Sequence, residues 1–171
     1  MARRTAEGLT GTELEEFART VALDRLTDRD RSRADLATVM AKKAVPEEVA
    51  TAVLDRLETV GLVDDERFAR TWVESRQRVK GLARPALAVE LRRQGIDDEL
   101  ARTVLDDEVD TDGEHQAARQ LVERRLPSLR GLDRTVQMRR LAGLLARKGY
   151  SSSVAFAVVR EALDEAADDI E

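Results

Sequence analysis

LATVMAKKAVPEEVATAVL from Leu36, LAVELRRQGIDDELARTVL from Leu87 and LAGLLARKGYSSSVAFAVV from Leu141 align without gaps, at offsets of 51 and then 54 residues. Apolar residues coincide at Leu36, Leu87 and Leu141, then at Met40, Leu91 and Leu145, at Val45, Ile96 and Tyr150, and at Val53, Val104 and Val158. Within each stretch apolar positions at i, i+3 and i+4, such as Leu36, Val39 and Met40, mark a helix, and a second helix follows after a short break. Gly95 and Gly149 suit the left-handed residue that ends a helix, and Asp97 and Ser151 suit the cap that opens the next. The first copy has Ala44 at the glycine position and then Val45-Pro46, so its turn is expected to differ in detail, with Pro46 in the first turn of the new helix.

A further helix precedes each pair, in ARTVALDR from Ala18, ARTWVESR from Ala69 and ARQLVERR from Ala118. The unit is therefore helix, loop, helix, turn, helix, and it occurs three times, over residues 13–63, 64–109 and 114–163. An all-α fold follows, with cores expected at Val21, Leu36, Met40, Val53 and Leu57, at Trp72, Leu87, Leu91, Val104 and Leu105, and at Leu121, Leu141, Leu145 and Val158. The first join, GLVDDERFA, is tight: Gly61 stops one helix, Asp64 caps the next, and acidic residues occupy its first turn. The second join, DDEVDTDGEHQ, is acidic and contains glycine, and reads as a hinge between Asp106 and Glu114. Residues 1–12 read as a flexible tail and residues 164–171 as an acidic one.

Hydrophobic residues make up 42% of the 171 residues and charged residues 37%, too apolar for a disordered chain and highly charged for a compact sphere. A thin, extended helical body reconciles the two values. The chain has no cysteine, which excludes disulfides, cysteine zinc sites and thiol nucleophiles. MARRTAEGLT lacks the apolar core of a signal peptide, and the run Val154 to Val159 is far too short for a membrane span, so a cytoplasmic protein with no membrane role is expected.

The net charge of −5 conceals segregation. Arg67 to Arg93 holds eight basic and two acidic residues, Gln94 to Glu114 one basic and nine acidic, and His115 to Lys148 nine basic and two acidic. Such blocks form separate positive and negative faces. The basic residues recur at the end of the first helix, in the following loop and on the middle helix. Copy one contributes Arg25, Arg29, Arg31, Arg33, Lys42 and Lys43, and copy two Arg76, Arg78, Lys80, Arg84, Arg92 and Arg93. Copy three contributes Arg124, Arg125, Arg130, Arg134, Arg139, Arg140, Arg147 and Lys148. The recurrence predicts one positive strip as the binding surface for a partner or DNA. Arginine supplies 25 of the 29 basic residues, and its planar fork suits phosphate or carboxylate. Base composition of the genome accounts for that total, but not for the clustering.

Catalytic patterns are missing. His115 is the one histidine, without a companion ligand, and no glycine-rich phosphate loop occurs. EVDTDG from Glu108 mimics the start of a calcium loop, but Arg119 stands where the bidentate glutamate is required. No catalytic residue, cofactor or metal is therefore expected. The five aromatic residues, Phe17, Phe68, Trp72, Tyr150 and Phe156, sit in apolar helical patterns or their turn, which argues against a base-stacking platform. Each two-helix tail is similar to a helix-turn-helix, and a DNA-binding transcription factor is the alternative reading. Recognition helices opening on Pro46-Glu47-Glu48 or Asp97-Asp98-Glu99, however, present carboxylates to phosphate.

Over residues 14 to 163 the chain resembles the RecX family of bacterial recombination regulators. The likeness rests on LDRLTDRDRSRADLATVM from Leu23, LETVGLVDDERFARTWVESR from Leu57, LAVELRRQGIDDELA from Leu87 and RRLAGLLARKGYSSSVAFAVV from Arg139. The chain departs from the family pattern at Ala83 and Arg84, where a second glycine is usual before the proline region. The resemblance implies three tandem trihelical repeats in an elongated, curved array. It also implies a monomer that binds RecA and its filament on single-stranded DNA, with or without direct contact to single- or double-stranded DNA. Suppression of filament growth, ATP hydrolysis and strand exchange goes with that binding.

Overall fold

A computed structural model describes residues 5–168. Among the described residues the chain is helical throughout, with no strand: α1 (Gly11–Asp28), α2 (Arg33–Lys42), α3 (Glu47–Thr59), α4 (Asp65–Lys80), α5 (Arg84–Arg93), α6 (Asp98–Glu108), α7 (Thr111–Arg125), a 3-10 turn (Leu126–Leu129), α8 (Arg134–Arg147) and α9 (Ser152–Asp168). The helices thus follow the three copies, and no helix among the described residues is long and apolar enough to cross a membrane.

The aligned apolar positions are the buried ones. Leu36, Leu87 and Leu141, and Met40, Leu91 and Leu145, are all at most 1% exposed. Val53, Val104 and Val158 are buried on the third helices. On α4 and α7 the expected pattern is out by one position, whereas Val21 on α1 is buried as expected. Ala22, Val73 and Val122 are fully buried, whereas Trp72 and Leu121, expected in the core, are half-buried. The reason is that Ala18, Ala69 and Ala118, also fully buried, lie four residues before Ala22, Val73 and Val122 on the same helix face. Large residues at Trp72 and Leu121 flank that small-residue stripe.

Two compact units hold these elements. One takes in the chain up to Thr71 together with Leu91–Leu100; the other comprises Trp72–Glu90 and the chain from Ala101 onward. In the first, α1, α2 and α3 enclose a core around Leu36, Met40, Val53 and Leu54. In the second, α7, α8 and α9 enclose a core around Val122, Leu141, Leu145 and Val159, which Ala83 joins.

Each unit also contains a joint between consecutive repeats, built on the turn after a middle helix. Val45, Ile96 and Tyr150 donate their backbone N–H to the carbonyls of Met40, Leu91 and Leu145, each at 3.1 Å. The residue before each donor is left-handed: Ala44 at φ +62°, Gly95 at +75° and Gly149 at +95°. The first turn therefore has the same form as the others, contrary to expectation. Alanine is tolerated because its Cβ is exposed, at a conformational cost of roughly 1–2 kcal/mol. The other two positions admit no Cβ, which would lie 2.3 Å from Ala34 Cβ at Gly95, and 2.8 Å from Ala86 Cβ at Gly149. At both, the turn presses on the first turn of the preceding repeat's middle helix.

The carbonyl just before each left-handed residue is one that the helix leaves unpaired. Gln94 O accepts from the Ser32 hydroxyl at 2.6 Å, and Lys148 O from the Ala83 N–H at 3.0 Å. Ser32 and Ala83 are equivalent residues 51 apart. In repeat one, Lys43 O accepts from the Ala6 N–H at 2.7 Å. Ala6 is buried, so the expected flexible tail is bonded and packed at that residue, and its last two residues, Gly11 and Thr12, already belong to α1. Residues 1–4, also assigned to that tail, and 169–171 of the acidic tail lie outside the described residues. Residues 164–168 continue α9.

The expected hinge is likewise replaced by a tight connection. Only Val109 and Asp110 separate α6 from α7; Val109 is buried, and Asp110 accepts from the Gly113 N–H as an N-cap. Acidity that suggested a solvated linker serves the first turn of a helix, where negative charge is favoured.

Tyr150 adds a second tie. Its hydroxyl donates to Gly81 O at 2.9 Å, and burial, with a smaller contribution from the Glu114 charge, pushes its pKa up to about 12. A phenol whose folded pKa lies above its ordinary value near 10 favours folding fully below about pH 10. That contribution is lost as pH rises towards 12. Because the chain has one tyrosine, absorbance titration at the phenolate band should show a single delayed ionisation, and Tyr150→Phe should cost about 1 kcal/mol. In urea unfolding, Ala44→Gly should stabilise by about 0.5–1 kcal/mol, whereas Gly149→Ala should destabilise by about 3 kcal/mol.

Candidate functional site

Arginine opens every middle helix, and these arginines are ties between helices. Arg33 Nη2 and Nη1 lie 2.7 Å from Asp55 and 2.7 Å from Glu58 on α3. Arg84 pairs with Asp106 on α6 and donates to Leu105 O at 3.3 Å. Arg134 pairs with Asp164 on α9 and donates to Leu163 O at 3.3 Å. The backbone N–H groups of Arg33 and Arg84 are capped in turn by Asp65 at 2.8 Å and Glu114 at 2.7 Å, from the first turns of α4 and α7. Arg84, expected in the binding strip, is thus part of the scaffold: the start of a middle helix lies beside the C-terminal half of the third helix, whose carboxylates and carbonyl oxygens attract a cation.

Other strip residues are also engaged. Arg31 is largely buried, pairs with Asp35 at 3.0 Å and leaves its Nε buried without a partner. Arg76 stacks 4.1 Å from the Trp72 ring centre and donates to Glu90 at 2.8 Å, where the Trp72 N–H also donates at 2.9 Å. Lys80 reaches the other Glu90 oxygen at 3.4 Å. Partial burial raises the Glu90 pKa, but the Trp72 hydrogen bond and the Lys80 and Arg76 charges outweigh it and hold the carboxyl below its ordinary value. Arg78 faces Glu74 at 3.8 Å and Arg92 faces Asp98 at 3.1 Å, both pairs well exposed. Lys43 is half-buried, with its carbonyl held by Ala6.

Among the described residues, Arg25, Lys42, Arg93, Arg124, Arg125, Arg139, Arg140, Arg147 and Lys148 have no ion pair. Four of them converge. Arg125, Arg139, Arg140 and Arg147 line an open groove of about 640 Å³ with Gly143 and Leu144. No carboxylate lines it, whereas two other surface grooves mix both signs: Asp64, Glu66, Arg67 and Arg70 in one, Arg78, Glu108 and Asp110 in the other. Unscreened by partners, the four guanidiniums make a concentrated positive potential suited to an anion.

Three sequence models of one family match the chain in order: RecX, first three-helix domain, over residues 18–57; second three-helix domain, over 64–105; and third three-helix domain, over 112–159. The chain belongs to the RecX family. "Regulatory protein RecX" of Streptomyces coelicolor is 49% identical over 156 residues, covering 91% of this chain and 82% of that one. The Thermobifida fusca protein of the same name is 47% identical over 147 residues, covering 86% and 79%. The crystal structure of RecX from Lactobacillus salivarius shares the fold at 17% identity, with a TM-score of 0.79 over 88% of this chain and 97% of that one.

The arginine groove lies in the third RecX domain. Gly143 in its floor was not singled out from the sequence, although a glycine inside a helix, costing about 1 kcal/mol against alanine, is a signal. Neutralising a free cation should leave stability nearly unchanged, and removing a tie should not. Arg139→Gln and Arg140→Gln should shift unfolding free energy by less than about 0.5 kcal/mol, and Arg84→Gln should cost about 1 kcal/mol, by urea titration.

Proposed function

We propose that this chain is a monomeric, non-enzymatic regulator that binds RecA and its filament on single-stranded DNA and restrains filament growth, ATP hydrolysis and strand exchange. The observation that carries this reading is the match of all three RecX three-helix domains in their order along the chain. Relatives named as regulatory proteins at close to half identity support it. Tandem repeats suit a ligand that spans neighbouring protomers of a filament, since several weak contacts on one chain act together. Inhibition then requires tighter binding to an inactive or disassembling state than to the active filament. The free cations are the surface assigned to filament carboxylates or DNA.

Reading of the major groove by α3 and α6 is disfavoured, because Glu47 and Glu48 open α3, Asp98 and Glu99 open α6, and all four are exposed. Such helices repel phosphate.

The purified protein should lower the rate of RecA ATP hydrolysis on single-stranded DNA and show no ATP turnover by itself. Unchanged RecA turnover at equimolar protein and low salt would refute the proposal. Charge reversal of Asp97, Asp98 and Glu99 should leave inhibition intact; if it abolishes inhibition, the acidic face is the binding one.

A further inference from the structure

We infer that the groove of Arg125, Arg139, Arg140 and Arg147 is a binding site for the phosphodiester backbone of nucleic acid, read without regard to base sequence. The inference deepens the preceding reading and rests on it for the presence of DNA nearby, but its chemistry is argued from the groove.

Helix ends account for part of this charge. Arg125 closes α7 and Arg147 lies at the last residue of α8, where cations offset the helix dipole. Arg139 and Arg140 sit in the interior of α8 and have no such reason to be there, nor any carboxylate partner among the described residues. Arg139, Gly143 and Arg147 are successive positions four apart, so they form one row along the helix, about 12 Å long at 1.5 Å per residue. On one strand of a duplex, at about 3.4 Å of axis per phosphate, such a row spans three to four phosphates.

Gly143 interrupts the row between its two arginines. In the aligned repeats the same position holds Thr38 and Val89. A Cβ at Gly143 would make only an ordinary contact with Arg147 Nη1, at 3.4 Å, so what the glycine provides is a helix surface open to close approach. The lining offers no aromatic residue, which excludes base stacking as the source of affinity, and only Leu144 as an apolar contact. A protein partner generally needs a buried apolar anchor at the centre of its interface. Forked cations without such an anchor match phosphate.

The test is fluorescence anisotropy of a labelled oligothymidylate with the full chain alone, across a salt series. Four contacts predict a slope of log K against log salt near −3. Arg139→Gln with Arg140→Gln should weaken binding on the order of tenfold and make the slope shallower by about 1.4. Matching Arg19→Gln with Arg102→Gln, two exposed arginines outside the groove and outside the basic strip, should change neither. Gly143→Glu, which places a carboxylate in the floor and keeps the helix, should weaken binding as strongly as the double variant. Replacing the two arginines by lysine should retain most of the slope. Oligonucleotide binding that survives both groove variants overturns the assignment. So does loss of DNA-free RecA binding in these variants with oligonucleotide affinity intact, which would make the ligand an acidic protein surface. Oligonucleotide binding as described, in a protein that leaves RecA turnover untouched, supports the groove and refutes only the RecA proposal.

Discussion

A helix leaves its final carbonyls without partners, and in this fold one of those carbonyls is where each repeat is fastened. Gln94 O and Lys148 O are met by donors at the start of the preceding middle helix, from Ser32 and Ala83. The left-handed residue that follows turns the chain, and at Gly95 and Gly149 the missing side chain lets the turn sit directly against Ala34 and Ala86. Removing either the donor or the glycine leaves a buried polar group unpaired or forces the two backbones apart. The hydrophobic clusters supply the larger free energy, but they are non-directional; the carbonyl contact sets the position of the turn.

Electrostatics is divided between scaffold and surface along the same lines. Arginines at the first position of α2, α5 and α8 bind the third helix of their own repeat, and backbone caps from Asp65 and Glu114 hold the same helix starts. The Glu90 cluster immobilises Arg76 and Lys80 around Trp72. What is left for ligands is a smaller set of cations than composition implies, and it is richest on α7 and α8. Net charge therefore says little here about binding, because arginines such as Arg33, Arg76, Arg84 and Arg134 answer an acid on a neighbouring helix.

Periodicity made the repeats legible in the sequence: Leu36, Leu87 and Leu141 recur because each must fill the same space. It was less informative on the first helices, where a stripe of alanines sets the buried face and the large neighbours Trp72 and Leu121 attract the eye. Ala44 could not be read as left-handed, since nothing local reveals that its Cβ faces open space. Acidic residues at 106–114 and the short segment around Ala6 looked solvated, because their roles as caps depend on partners elsewhere. For the site, residue type and recurrence located the basic surface, but pairing decides which cations are available. Arg84 and Arg140 are the same residue type, and the carboxylate and carbonyl that Arg84 meets on α6 separate them.

The fastening carbonyls belong to Lys43, Gln94 and Lys148, whose side chains differ in length and charge. The accepting atom is main chain, which every residue type shares, while the donor is a backbone N–H at Ala6 and Ala83 and a hydroxyl at Ser32, so the accepting side of the joint is indifferent to the side chain it carries. Gene duplication could thus lengthen such a chain in a single event, and each copy could afterwards diverge in everything except its small turn residue and its core.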